Sequence, residues 1–311
     1  MRFLVTGSNG LFGGGLAARL RDVRAGATVL GVDLTTPVGI PGEACDLTDA
    51  GATRAAISRL SPDVVVHCAG AVTGRDLEEL TARLVTPTRV LLGVLAAEAP
   101  EAVFVVPGSA AEYGTLGAGC TAFAETDQPA PVSPYGIAKA AQTQATLDAA
   151  AAGLDARVAR VFNLIGPGIP PAFLIGRVAD GLAAIAAGSA PPRIELGPLS
   201  SVRDFIDFRD ACDGLIAIAE RGVSGRVYNV CSGIGRTSRE AIEALVRCSG
   251  LDVEIAEEAN GSPRTGLDVS VGDPSRIASE LGWQPVIDFE TSACDAVAAA
   301  CGALTCRKAG S

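Results

Sequence analysis

Among 311 residues there is one histidine, one tryptophan, one methionine and three tyrosines, and the only lysines are Lys139 and Lys308. A single histidine excludes sites that need several, such as imidazole-rich metal centres or relays of two histidines. Lys and Arg together number 25, so 23 of the basic residues are Arg; Asp and Glu number 35 and the net charge is −10. That balance gives no general electrostatic attraction to nucleic acid or to an anionic membrane. No uninterrupted apolar run reaches the roughly 18 residues of a membrane span. The strand-like RFLVT at 2–6 runs into glycines at once, unlike a signal sequence. The nine cysteines are odd in number and scattered, with no C-x-x-C pair. They read as reduced thiols of a cytoplasmic protein, most of them small hydrophobes within apolar runs.

What is present is an alternation of short buried strands with helices. Apolar, β-branched runs lie at 2–6, 27–33, 63–68, 102–107, 155–161 and 226–230. Helical patterns lie near 11–21, 48–60, 76–98, 134–152, 171–188 and 210–221. This rhythm predicts an α/β fold, a doubly wound parallel sheet with helices on both faces. After about residue 162 Pro- and Gly-rich stretches loosen it. The expected division is therefore 1–162 plus 204–232 as a dinucleotide-binding domain, 163–203 plus 233–300 as a smaller, mostly helical substrate lobe, and 301–311 as a tail containing Lys308.

The first strand ends in T-G-S-N-G-L-F-G. Gly7, Gly10 and Gly13 at that strand-to-helix junction permit a tight turn, a close approach of backbone N–H groups to a pyrophosphate and close helix packing. Asn9, Leu11 and Phe12 lie within the same loop and count as cofactor-binding candidates. Twenty residues after Gly13, Asp33 ends the second strand, where a carboxylate accepts hydrogen bonds from an adenosine ribose and repels a 2′-phosphate. NAD(H) is therefore favoured over NADP(H). Asp46 and Leu47 are candidates for the adenine side, against the alternative of a helix N-cap at Thr48. Ala69, Gly70 and Ala71 end the third main strand, where a dinucleotide passes close to backbone. His67 within that strand reads as a packed core residue. No metal site is expected.

Tyr135 and Lys139 have the spacing Y-x-x-x-K at the start of a helix, which puts both side chains on one face. A phenol with an ordinary pKa near 10 needs help to exchange a proton near neutrality. Lys139 supplies a positive charge for this, in a chain that fills its exposed basic positions with Arg. Ser109, at the end of the fourth main strand in V-F-V-V-P-G-S-A-A-E-Y-G, supplies a hydroxyl that polarises a carbonyl or alcohol oxygen.

With these residues in place, the chain resembles the extended short-chain dehydrogenase/reductases, specifically the nucleotide-sugar epimerase/dehydratase group. The resemblance reaches to about residue 300 and rests on T-G-S-N-G-L-F-G, S-A-A-E-Y-G, S-P-Y-G-I-A-K, R-V-F-N-L-I-G-P-G, R-D-F-I-D-F-R-D, Y-N-V-C-S-G and L-G-W-Q-P. It implies a Rossmann-type fold, a catalytic triad of Ser109, Tyr135 and Lys139, a cofactor contact at Phe162, and nucleotide-sugar contacts at Asn163, Arg203 and Arg264, with Arg177 a weaker one. It also implies a homodimer formed through helices 76–98 and 134–152. Two departures bear on the reaction. Ala110 and Ala111 stand where the family's dehydratases carry an Asp-Glu pair, which disfavours dehydration. Leu84-Val85-Thr86-Pro87 stands where the family often has Asn-Val-x-Gly. The motifs look most like GDP-4-keto-6-deoxy-mannose reductases, implying reduction of a 4-keto group on a nucleotide-linked deoxy sugar. A 4-epimerase is the alternative, and a non-catalytic NAD-binding sensor the third reading.

Overall fold

The computed structural model describes residues 1–71, 73–117, 120–257 and 269–309. Its first half runs β1 (Arg2–Thr6), α1 (Leu11–Val23), β2 (Thr28–Asp33), β3 (Gly42–Ala44), α2 (Ala50–Leu60), β4 (Val64–His67), α3 (Leu77–Leu80), a π-helical turn (Thr81–Val85), α4 (Thr86–Glu98) and β5 (Val103–Ser109). A 3-10 turn (Ala110–Glu112) leads to α5 (Pro134–Ala151), β6 (Ala156–Val161), β7 (Asn163–Ile165), α6 (Leu174–Ala186), β8 (Arg193–Leu196) and β9 (Val202–Asp207). The chain then forms α7 (Phe208–Arg221), β10 (Val227–Val230), β11 (Gly235–Thr237), α8 (Ser238–Ser249), β12 (Glu254–Glu257), β13 (Val269–Ser270), α9 (Ser275–Leu281) and α10 (Phe289–Ala309).

Seven strands form one parallel sheet in the order β10-β6-β5-β4-β1-β2-β3. Winding reverses between β1 and β4, and that reversal opens a crevice at their C-terminal ends. Side chains alternate across the pleat. Phe3, Val5, Val64, Val66 and Val105 join α1 and α7 in one apolar cluster. Leu4, Val65, Phe104 and Val106 join α2 and α4 in another on the opposite face. The apolar α3–α4 stretch, Leu77–Glu98, has the length and composition of a membrane span, but half of it is buried within the fold. The structure uses it as an inner layer against α2 and α5.

The second lobe is less purely helical than the sequence implies. Beside α6, α8 and α10, which pack on one another, it holds a four-stranded sheet in which β9 pairs with β7, β11 and β13, and a two-stranded pair of β8 with β12. The expected boundary at 204 falls inside β9, whose whole length belongs to this second sheet; α7 and β10 return to the main one. The expected tail at 301–311 is also corrected, because α10 continues without a break to Ala309. The helix expected from Thr48 begins at Ala50 instead. Its cap is Asp49, whose Oδ1 accepts from Gly51 N and Ala52 N, as short acidic caps do.

The cysteines also depart from expectation. Cys248 on α8 and Cys294 on α10 form a disulfide; neither count nor spacing along the chain reveals that two packed helices bring them together. Reduction opens a loop spanning 46 residues and should cost about 2–4 kcal/mol of stability. The check is a drop in thermal midpoint when a phosphine reductant is added. An unchanged midpoint with both thiols shown to be free would contradict it.

Candidate active site

The glycine loop sits at the sheet reversal. Gly7 has φ +64, and a Cβ there would lie 2.7 Å from the Ala69 backbone; one on Gly13 would lie 2.2 Å from Gly7 O. Only bare backbone lets β1, the loop and the end of β4 approach so closely. Gly10 is the N-cap of α1, so the first-turn N–H groups of that helix face the crevice. Asp33 ends β2 beside the loop, its Oδ2 accepting from Asn9 N at 2.9 Å and its Oδ1 from Leu34 N at 2.7 Å. The Asn9 side chain donates to Thr35 Oγ1 at 3.0 Å and accepts from Val38 N at 2.9 Å. It thereby ties the glycine loop to the segment after β2. Such a cradle of free N–H groups and close backbone, with a carboxylate about one strand away, fits a dinucleotide.

Other cofactor candidates serve packing first. The Phe12 ring meets Phe208 edge-on at 5.5 Å, and Leu11 packs on the same cluster. Leu47 is buried, while the exposed Asp46 carboxylate turns back onto Thr48 N and Oγ1. The Phe162 ring is buried with Ala110, Tyr113, Phe123 and Cys231. Ala69 N donates to Thr6 Oγ1 at 3.2 Å. Gly70 is exposed and Ala71 buried at the end of β4; the Leu84 side chain fills the space beside Gly70.

Ser109, Tyr135 and Lys139 come together at the C-terminal edge of the sheet. Ser133 caps α5 by accepting from Gly136 N, with Pro134 in the first turn, so the helix starts one residue before Tyr135. The Tyr135 ring packs on Leu80, Leu84, Val85 and Ala138. Burial pushes its phenol up to about 12; the Ser109 hydroxyl beside it pulls the other way, and the Glu112 carboxylate adds to the rise. Lys139, one helical turn further on, is not among the groups that set this shift. It reaches instead to Pro107 O on β5 at 2.8 Å and to Gln142 Oε1 at 2.9 Å. Burial lowers its pKa to about 8, against the raising effect of Glu112 and Cys68.

Glu112 is a site residue that the sequence reading missed. Fully buried, it accepts from Ser109 N at 2.7 Å through Oε1 and from Arg160 Nε at 2.8 Å through Oε2. Its capping-box spacing, S-x-x-E, was the available signal.

The substrate-side candidates are spread more widely. Asn163 on β7 donates to Asp204 O at 3.2 Å, and Arg203 on β9 is buried with one N–H given to Val202 O. Arg177 is exposed on the first turn of α6; Arg264 lies outside the described residues. A cleft of about 550 Å³ opens between residues 115–117 and 120–122 on one side and β9, β11 and β13 on the other, walled by Leu116, Cys120, Val202, Val269 and Val271. Among the described residues no cluster of three His, Cys, Asp or Glu is arranged for a metal ion.

Residues 3–231 match the NAD dependent epimerase/dehydratase family. The chain belongs to that family. Among its relatives, dTDP-6-deoxy-L-talose 4-dehydrogenase (NAD(P)(+)) of Kitasatospora kifunensis is 35% identical over 91% of both chains. GDP-6-deoxy-D-mannose reductase of Pseudomonas aeruginosa is 30% identical over 74% of this chain and 78% of that protein. The solved structure of RMD from Pseudomonas aeruginosa complexed with NADPH superposes with a TM-score of 0.87 at 28% identity, over 97% of this chain and 99% of that one. As a member of this family the chain is an enzyme.

In this member, His67 is the core residue that the sequence reading made it. It is 1% exposed, and burial, aided by the nearby Lys139 charge, lowers its pKa to about 3. The unfolded chain, with an ordinary imidazole near 6.5, binds the extra proton first. Stability that rests on neutral His67 is thus lost as the pH falls from about 6.5 towards 3. The single imidazole signal in a proton NMR titration should stay unprotonated from pH 8 down to 5; a midpoint near 6.5 in the folded protein would contradict this burial.

Proposed function

We propose that this enzyme reduces the 4-keto group of a nucleotide-linked deoxy sugar, using Ser109, Tyr135 and Lys139. The observation that carries the reading is the meeting of Ser109, Tyr135 and Lys139 at the C-terminal edge of the sheet, where the glycine loop also lies. With its pKa pushed up to about 12, Tyr135 stands as a proton donor at neutral pH, at the sheet edge where Ser109 also faces. The relatives support it: a 4-dehydrogenase and a reductase, both acting on nucleotide-linked 6-deoxy sugars.

Gly7, Gly10, Gly13, Asp33, Ala69 and Gly70 would hold the dinucleotide. When bound, its reduced nicotinamide supplies a hydride to the keto carbon. Tyr135 gives its phenolic proton to the carbonyl oxygen as negative charge develops there. Ser109 donates a hydrogen bond to the same oxygen and so lowers the cost of that charge. Lys139 keeps a positive charge at the same edge below about pH 8. Ala110 and Ala111, directly after Ser109, carry no group able to exchange a proton, so elimination of water is not part of this reading. The nucleotide is assigned to the cleft beside β9, the strand that carries Arg203 next to cleft-lining Val202.

Tyr135→Phe should lower kcat by about 10²–10⁴-fold while leaving the dissociation constant for the dinucleotide unchanged. In the unsubstituted enzyme the reductive rate should fall as the pH rises through about 8, where Lys139 loses its proton. Assays with GDP-, UDP- and dTDP-linked 4-keto sugars should consume NADH stoichiometrically. Near-normal turnover by Tyr135→Phe would overturn the assignment. Interconversion of 4-epimers without net NADH consumption would replace it with a 4-epimerase.

NAD(H) is the assigned cofactor because the Asp33 carboxylate stands where a 2′-phosphate would meet like charge. Asp33→Ala should shift the NADPH-to-NADH ratio of kcat/KM towards NADPH by about tenfold, the size of one lost like-charge contact. A ratio already favouring NADPH in the unsubstituted enzyme would contradict the assignment.

A further inference from the structure

Behind Lys139 lies a set of buried polar side chains that the proton transfer itself does not use. Lys139 Nζ has only donors, so the Gln142 atom facing it at 2.9 Å is the carbonyl Oε1. Gln142 Nε2 then points the other way, to Thr88 Oγ1 at 2.8 Å and Leu84 O at 3.3 Å. The Thr88 hydroxyl accepts that bond and sends its own proton to Leu84 O at 2.7 Å. With its hydrogen committed, it accepts again from His67 Nε2 at 3.0 Å. The imidazole therefore carries its proton on Nε2, and its Nδ1 accepts from Thr6 Oγ1 at 2.8 Å. Thr6 Oγ1 in turn accepts from Ala69 N. Gln142, Thr88, His67 and Thr6 are all at most 2% exposed. The directions follow from two fixed groups, the all-donor ammonium of Lys139 and the acceptor-only carbonyl of Leu84.

We propose that Gln142 is the positioning residue for Lys139, and that Thr88, His67 and Thr6 anchor it to the backbone at Ala69, on the floor of the dinucleotide crevice. The inference rests on the reading of Lys139 as part of the proton-transfer site. Its contribution is geometric. A lysine stem is long and rotatable, and an acceptor fixed one helical turn further along α5 gives its head group one place to sit. The neighbouring ionisable groups do not duplicate this. Glu112 is engaged by Ser109 N and Arg160. Desolvation pushes the half-buried Cys68 thiol up to about 12, where it stays protonated, and His67 is neutral.

The scarcity of lysine supplies the test. Protein labelled with 13C at lysine Cε should give two signals, and Lys308→Arg removes one, leaving Lys139 to be titrated directly in the cofactor-free protein. The expected midpoint is about 8. Gln142→Leu removes an acceptor from the charged form and should move the midpoint down by about one unit. Gln142→Glu places a carboxylate there and should move it up by about as much. In the reductase assay the alkaline limb of kcat should follow the same two directions, with kcat for Gln142→Leu down about tenfold. A role confined to packing would not produce shifts of opposite sign. Should Gln142→Leu fail to fold, Thr88→Val keeps the shape, removes the Gln142 anchor and should shift the midpoint downwards. Midpoints unmoved in every folded variant would overturn the inference, even if the parent enzyme reduces its substrate and Tyr135→Phe does not. Shifted midpoints in an enzyme that reduces no keto sugar would instead sustain the positioning role and discard the functional reading.

Discussion

The C-terminal edge of the main sheet is organised by one buried carboxylate. Glu112 has no exposed surface and must be compensated where it lies, since an unpaired buried charge costs several kcal/mol. Arg160 reaches it from β6, and the same guanidinium lies 4.5 Å from the centre of the Tyr113 ring. The Tyr113 hydroxyl donates to Asn229 Oδ1 on β10 at 2.7 Å. Three adjacent strands, β5, β6 and β10, are thereby joined through side chains at their ends. Ser109 is held in this set by its own backbone N–H, so its hydroxyl stands on a fixed strand terminus. Gly108 belongs to the same constraint: a Cβ there would come within 2.5 Å of Glu112 Oε1, closing the space the carboxylate occupies.

Much of this was legible where chemistry and spacing are local. The glycine loop, Asp33, and the Tyr135 and Lys139 pair declare themselves because a strand end, a helix start and one helical turn translate directly into geometry. The six main-sheet strands longer than β3 were readable for the same reason, as short apolar runs. What escaped depends on pairings across the chain. The Arg160 that answers Glu112 lies 48 residues later, and its only trace is that it is one of two arginines, with Arg157, in a strand otherwise of Ala and Val. Cys248 and Cys294 meet only because α8 packs on α10. β9 was divided because its apolar pattern does not say which sheet receives it. Gln142 was visible three residues after Lys139, but its use becomes apparent only when Thr88 and His67 arrive from other elements.

Apolar surroundings push the two reactive side chains in opposite senses, Tyr135 up and Lys139 down. Both are held closer to their neutral forms than water would hold them. For Lys139 the unfolded chain, titrating near 10.5, binds more protons than the folded one above about pH 8. Folding is therefore penalised by this residue at neutral pH, and the penalty shrinks as the pH rises towards 10.5. The site thus trades stability for a pre-set protonation pattern.

A final consequence follows from the path of the chain between the two sheets. β6 ends at Val161 in the main sheet and β7 begins at Asn163 in the second, with only Phe162 between them. The return is as direct, because β9 passes from the second sheet into α7 without an intervening residue. A third crossing, residues 231–234 between β10 and β11, is tied back to β9 by Asp204, whose carboxylate accepts from Ser232 N and Gly233 N. The sheet that walls the cleft through β9, β11 and β13 is thus joined to the main sheet only by links of four residues or fewer.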